Sequence, residues 1–127
     1  MVLALDPANA EAAHGLDRAR RLPRVKELVA AGQKAEERHD LQQARQAYGE
    51  AVEIDGESKE ARDHLDRVDN LIRQQQFELA VSEAKSALER ADFAATSVAL
   101  QRARQLQPDS TEVRDLGLRL QAGERQA

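Results

Sequence analysis

Apolar residues recur along this chain with the period of an α-helix on nearly every segment. Between residues 41 and 54 they lie three or four positions apart, which places them on one helix face; they are Leu41, Ala44, Tyr48, Ala51 and Ile54. Ala99, Ala103 and Leu106 repeat the same spacing. Runs of β-branched residues, which strands favour, are absent. The pattern predicts an all-α protein.

One unit occurs twice in the sequence. Leu16-Asp17-Arg18 recurs as Leu65-Asp66-Arg67, 49 positions later, and Ala35 matches Ala84 at the same offset. Further along the chain the offset is 52, where Asp40-Leu41 matches Asp92-Phe93. The change of offset predicts three extra residues late in the middle helix of the second copy. We expect a single domain over residues 1–127, with unit one at about 7–55, unit two at about 56–107 and a terminal helix at about 109–122.

Each full unit is predicted to contain three helical stretches. The first opens after Asp6-Pro7, where Asp6 can cap the helix and Pro7 suits its first turn. In copy one Pro23 disfavours helix at Leu22, so we expect a kink or a break there. Copy two has no glycine or proline between Gly56 and Pro108. One continuous helix from Ser58 to Arg90, or a break within it, are both open alternatives.

The second and third stretches resemble the tetratricopeptide repeat, a helix–turn–helix unit of about 34 residues. Copy one has the family's large, small and aromatic residues at Leu28, Gly32, Ala44, Tyr48 and Ala51, and has Gly56 in the family's proline position. Copy two matches at Ala84, Leu100, Ala103 and Pro108, and departs from the pattern at Ala80 and Thr96. Residues 25–56 and 77–108 carry the match, which is about half of the chain. The resemblance implies a right-handed solenoid of antiparallel helices that binds a protein or peptide along a groove.

In that family the groove is lined mainly by the first helix of each hairpin. Carried over by position, the partner-binding candidates are Lys26, Val29, Gln33 and Glu37 in copy one and Glu78, Val81, Lys85 and Glu89 in copy two. The family's clamp for C-terminal carboxylates has Lys and Asn where Val29 and Gln33 stand, so that ligand class is not supported. An ordinary exposed helix surface is the alternative interpretation of these positions.

Composition narrows the function further. There is no cysteine, which excludes disulfides and thiolate chemistry. The basic block Arg18–Lys26 has no aromatic residue and the formal net charge is −4, so we expect no nucleic-acid partner. An acidic protein, a lipid headgroup or the acidic block Glu50–Asp69 of a neighbouring chain are the other partners weighed for it. The three histidines, His14, His39 and His64, are interpreted as surface residues. We expect no catalytic, cofactor or metal site and therefore no enzyme.

The two ends of the chain suggest an excerpt of a larger protein. Met1–Leu5 does not have the features of a signal peptide, and no apolar run approaches the ~20 residues needed to span a bilayer. The spacing also resembles helical-repeat regions of proteobacterial membrane-anchored proteins, which would place the chain in the periplasm; the cytoplasm is the alternative. Apolar residues near both ends are expected to lack a partner helix to pack against, and they are Val2, Leu3, Leu5, Leu116, Leu118 and Leu120. We expect these uncapped ends to self-associate at high concentration. The alternative function is a structural module whose helices mainly bind a second copy.

Overall fold

A computed structural model of the 127-residue chain describes residues 7–127, with side chains from residue 10 onward. Five helices follow one another: α1 (Pro7–Glu37), α2 (Leu41–Ile54), α3 (Lys59–Glu89), α4 (Phe93–Leu106) and α5 (Thr111–Gln126). Residues 7–127 contain no strand, which confirms the all-α prediction. The predicted cap at Asp6 and the apolar residues Val2, Leu3 and Leu5 lie outside the described residues.

The helices and their turns repeat at one constant offset of 52 residues. α1 and α3 each have 31 residues, and α2 and α4 each have 14. The Asp40 side chain caps α2 by accepting from the Gln43 N–H, and Asp92 caps α4 from the Ala95 N–H, both at 3.1 Å. The turn residue before each cap has a positive φ, 61° at His39 and 56° at Ala91.

The predicted change of offset from 49 to 52 is therefore wrong. The Ala35 carbonyl accepts from the Asp40 N–H and the Ala87 carbonyl from the Asp92 N–H, each at 2.9 Å, so Ala87 rather than Ala84 is the equivalent of Ala35. The two offsets differ by three residues, which is close to one helical turn of 3.6 residues. Residues matched at either offset lie on nearly the same helix face, so the pattern alone does not separate the two registers.

Of the kink or break expected at Pro23, the break is wrong, because α1 is a single helix with Pro23 inside it. Proline removes one backbone N–H donor and costs a helix interior ~3 kcal/mol or more. Contacts on both sides of Pro23 oppose that cost. Arg18 and Arg21 are held by the end of α2. After Pro23, the side chains of Val25, Leu28 and Val29 belong to the core. Pro23 itself is exposed, so its ring lies in solvent.

Of the two alternatives for the second copy, the structure has the continuous helix, α3. Ser58 caps it by accepting from the Ala61 N–H at 3.2 Å, and Ser110 caps α5 in the same way from the Val113 N–H at 3.3 Å. A run without glycine or proline leaves no position that would terminate the helix.

The chain divides into two compact units within α3, one extending to Asp69 and the other from Asn70 to Ala127. In unit 1 the buried hydrophobic residues are contributed by α1, α2 and the start of α3; they are Val25, Leu28, Val29, Ala35, Ala44, Tyr48, Ala51, Ala61 and Val68. In unit 2 they come from the rest of α3 with α4 and α5; they are Phe77, Ala80, Val81, Ala84, Ala87, Ala99, Leu100, Ala103, Val113, Leu116 and Leu120. Each unit is thus a helical hairpin with a third helical segment against it.

The terminal helix is longer than predicted and is packed, which corrects the expected exposure of its leucines. Leu116 is 2% exposed and Leu120 is 7% exposed, because both belong to the core of unit 2 with Val113. Only Leu118 is exposed, at 61%. The positions 113, 116 and 120 share one helix face, whereas 118 lies on another.

Candidate functional site

The predicted groove residues divide into a buried pair and an exposed set. Val29 and Val81 are each only 5% exposed, so these side chains belong mainly to the cores of their units. The other six are exposed, and they are Lys26, Gln33, Glu37, Glu78, Lys85 and Glu89. Each candidate in unit 1 is 52 positions from its counterpart in unit 2, so the two sets are structurally equivalent. The surface they offer is polar and charged, with a valine beneath it in each unit.

In unit 2 the structure brings three of these candidates together around one concavity. Glu78, Val81 and Lys85 of α3 line an open pocket of about 350 Å³, with Phe77 and Ser82 beside them and Glu112 of α5 opposite. Lys85 Nζ lies 2.6 Å from Glu112 Oε1 across it. Glu89, one turn beyond Lys85 on α3, is not part of the lining.

The rim of this pocket also contains amide side chains. Gln74 donates to Glu78 at 3.2 Å and accepts from Gln107 at 2.7 Å. The rim therefore presents both carboxylates and amides, which can receive and donate hydrogen bonds to a polypeptide.

The basic block contacts acidic and carbonyl groups of its own chain. Arg18 Nε lies 3.1 Å from Asp55 Oδ2, and the Asp55 side chain is only 3% exposed. Arg21 donates to the Ile54 carbonyl at 2.7 Å. Both arginines thus meet the C-terminal end of α2, where unpaired carbonyls favour a cation. Part of the block is accordingly engaged in packing α1 against α2.

A polar cluster that sequence reasoning did not find lies between the three helical segments of unit 1. Tyr48 of α2 is fully buried and donates its hydroxyl to Glu36 of α1 at 2.5 Å. Arg67 of α3 pairs with both Glu36 carboxylate oxygens and donates to His64 Nδ1 at 2.8 Å. The His64 ring stacks on Tyr48, with ring centroids 4.8 Å apart. His64 is therefore not the surface residue that was predicted, whereas the side chain of His14 is 60% exposed.

The electrostatics of the cluster favour a packing role. The hydrogen bonds from Arg67, with a further contribution from Tyr48, lower the pKa of Glu36 from 4.5 to about 2. Burial and then the bond to Glu36 raise the pKa of Tyr48. A general acid or base works best with a pKa near the operating pH, and both of these pKa values move away from neutrality.

Unit 2 has apolar residues at three of the four positions of this cluster, and only Arg67 keeps a basic equivalent, Arg119. At the constant offset of 52, the equivalents of Glu36, Tyr48 and His64 are Leu88, Leu100 and Leu116, which pack together in the unit 2 core. The signal that could have found the cluster was therefore present in the sequence. Finding the cluster required aligning position 64 with position 116, at the offset of 52, whereas the offset of 49 had been applied to that part of the chain.

Each hairpin also has an open groove between its two helices. In unit 1 it has a volume of about 350 Å³ and includes Ala35, Arg38 and Ala47. In unit 2 it has a volume of about 550 Å³ and includes Ala87, Arg90 and Ala99, which are the equivalents of those three residues. The repeat thus reproduces this groove in both units.

Within residues 7–127 no group of three or more acidic or histidine side chains could hold a metal ion. None of the described helices is long and apolar enough to cross a membrane. No protein-family model, curated protein or solved structure matches this chain.

Proposed function

We propose that this chain is a non-catalytic, tetratricopeptide-like module that binds a partner protein or peptide along the exposed face of its long helices. The observation that carries the proposal is the recurrence of one hairpin, with the same caps and the same helix lengths, at an offset of 52. Stacked repeats of one hairpin place equivalent side chains at regular intervals, and extended protein partners bind along the surface that these side chains form.

The chemistry of the proposed surface supports a polypeptide partner. Lys26, Gln33 and Glu37 are exposed on α1, and Glu78 and Lys85 border the unit 2 pocket on α3. Mixed charges with amides suit a peptide, which offers both donors and acceptors, better than they suit a polyanion.

A site-specific crosslinking experiment tests this proposal. A photoreactive phenylalanine analogue is placed at Gln33 or at Lys85, which are equivalent positions on the proposed face. The controls are Gln42 and Ala94, which are also exposed and 52 residues apart, but lie on α2 and α4. In extract of the native host we expect the same covalent adduct to a host protein from positions 33 and 85, and no adduct to a host protein from 42 and 94.

Two results would contradict the proposal. Equal adducts from all four positions would mean that the face has no preference. Adducts formed only between two copies of the chain would favour a self-associating structural module instead.

A further inference from the structure

Unit 2 has an exposed surface with two large apolar side chains at the seam between α3 and α4. Leu79 of α3 is 59% exposed and Val98 of α4 is 58% exposed. Leu79 is two residues before Val81, and Glu83 is two residues before Lys85. Two residues correspond to ~200° around a helix, so this seam is on the other side of α3 from the pocket formed with α5.

Four residues of the seam form a square in which apolar and charged corners alternate. Leu79 and Arg102 line one pocket of about 360 Å³, and Glu83 and Val98 line the neighbouring one. Leu79 and Glu83 are one helical turn apart on α3, and Val98 and Arg102 are one turn apart on α4. Arg102 Nη1 lies 3.4 Å from Glu83 Oε2. One diagonal is therefore apolar, and the other joins opposite charges.

The hairpin does not require apolar residues at these two corners in order to fold. Unit 1 forms the same hairpin 52 residues earlier, with Glu27 at the position of Leu79 and Gln46 at that of Val98. Both of those residues are exposed and polar. Large apolar side chains that the fold does not need, grouped on one surface, are typical of a contact with another molecule.

The arrangement of charges indicates which molecule that is. A twofold axis along the Leu79–Val98 diagonal would place Leu79 on its own counterpart and Val98 on its own counterpart. The same axis would place Glu83 opposite Arg102 of the second copy, and Arg102 opposite Glu83 of the second copy. An isologous interface needs a surface that is complementary to itself in this way. We propose that the chain forms a homodimer through this seam of unit 2.

The homodimer goes beyond the proposed binding function, because its residues are not those of the α3–α5 pocket. Sedimentation equilibrium of the full chain over a concentration series tests it. We expect the average mass to rise from 14.1 kDa toward twice that value. Leu79→Glu should abolish the rise, because the substitution brings two carboxylates together at the axis. Leu118→Glu is the matched control, since Leu118 is equally exposed on α5, and it should associate like the parent chain.

Charge reversal gives a second and sharper test. Glu83→Arg leaves only basic charges on the square, and Arg102→Glu leaves only acidic ones, so each variant alone should be monomeric. An equimolar mixture should regain the dimer, because every Arg then faces a Glu of the other variant. Both side chains are about half exposed, so the variants are expected to keep the circular dichroism spectrum of the parent.

Four outcomes would overturn the homodimer. A parent chain that remains at 14.1 kDa throughout the series would do so. Equal loss of association in Leu118→Glu and Leu79→Glu would place the contact elsewhere. Charge variants that associate on their own, or a mixture that stays monomeric, would show that Glu83 and Arg102 pair only within one chain. In each case the seam would not be the contact between two copies of the chain.

Discussion

The substitution Gly32→Ala tests how closely α1 approaches α2 in unit 1. A Cβ at position 32 would overlap Cε1 of Tyr48 and lie 2.6 Å from Cζ and 2.7 Å from Cδ1, whereas carbon atoms in contact are ~3.5–4.0 Å apart. The ring has little freedom to move away. It is fully buried, stacks on His64, and is held at its hydroxyl by Glu36.

Two opposing effects determine the size of the change. Forcing extra volume into a packed core costs ~1–3 kcal/mol, and three overlapping ring atoms place Gly32 at the upper end of that range. Alanine is favoured over glycine in a helix interior by ~1 kcal/mol. We therefore expect Gly32→Ala to lower the free energy of unfolding by ~2 kcal/mol. Gly49→Ala on α2 is the control, because a Cβ there would meet nothing within 4 Å, and it should raise stability by ~1 kcal/mol.

Tyrosine fluorescence in a urea series is the assay. Tyr48 is the one tyrosine of the chain, which has no tryptophan, so the signal reports on unit 1. Unit 2 supplies a rescue, because Ala84 and Leu100 stand at the positions of Gly32 and Tyr48. Adding Tyr48→Leu to Gly32→Ala should remove the steric cost, which circular dichroism can measure. If Gly32→Ala proves as stable as Gly49→Ala, the close approach of α1 and α2 is wrong.

Three further predictions concern the cluster and the helix caps. Tyr48→Ala should lower the free energy of unfolding in urea by ~3–5 kcal/mol. Tyr48→Phe should lower it by ~1.5 kcal/mol, because the hydroxyl donates to a carboxylate. Equal stability of the Phe variant and the parent would exclude that hydrogen bond. The lowered pKa of Glu36 means that its pairing with Arg67 stabilises the fold above pH 4.5, and that this contribution disappears as the pH falls from 4.5 to about 2. The full shift in the pKa of Glu36 corresponds to ~3 kcal/mol of stability, which solvent screening at the half-exposed Arg67 reduces to ~2 kcal/mol. Glu36→Gln should flatten the dependence of the unfolding free energy on pH between pH 4.5 and about 2. If the variant has the same pH profile as the parent, the assignment to Glu36 is refuted. Asp40→Ala and Asp92→Ala should each lower stability by ~0.5–2 kcal/mol in thermal unfolding, because each removes an equivalent helix cap, whereas two very different losses would contradict the equivalence of the two turns.

Much of the candidate surface could be predicted from the sequence because it depends on local spacing. The polar candidates Lys26, Gln33 and Glu37 are exposed as a helical period implies. Val29 and Val81 are buried, so these two positions, which were carried over from the family's groove, belong to the cores of their units instead. Whether the exposed set binds a partner is a prediction that the crosslinking experiment addresses.

The surface at Leu79 and Val98 was missed for a different reason. An apolar residue on an amphipathic helix is ordinarily assigned to the core. In the sequence, only the comparison with Glu27 and Gln46, at the offset of 52, distinguishes these two residues from core positions. For Leu79 that comparison depends on a register that the sequence pattern left ambiguous.

The all-α class and the apolar helix face that includes Tyr48 could be predicted from the sequence, and the Asp40 and Asp92 caps, which were not predicted, are equally local. These features depend on interactions within a few residues, such as capping and a three-to-four-residue apolar period. The register of 52, the continuation of α1 through Pro23 and the burial of Leu116 became clear only from the packing of the helices. Each of these depends on contacts between segments far apart in the chain. Packing a helix against its neighbours can outweigh a local preference, because burying its apolar face contributes more free energy than one lost helical hydrogen bond costs.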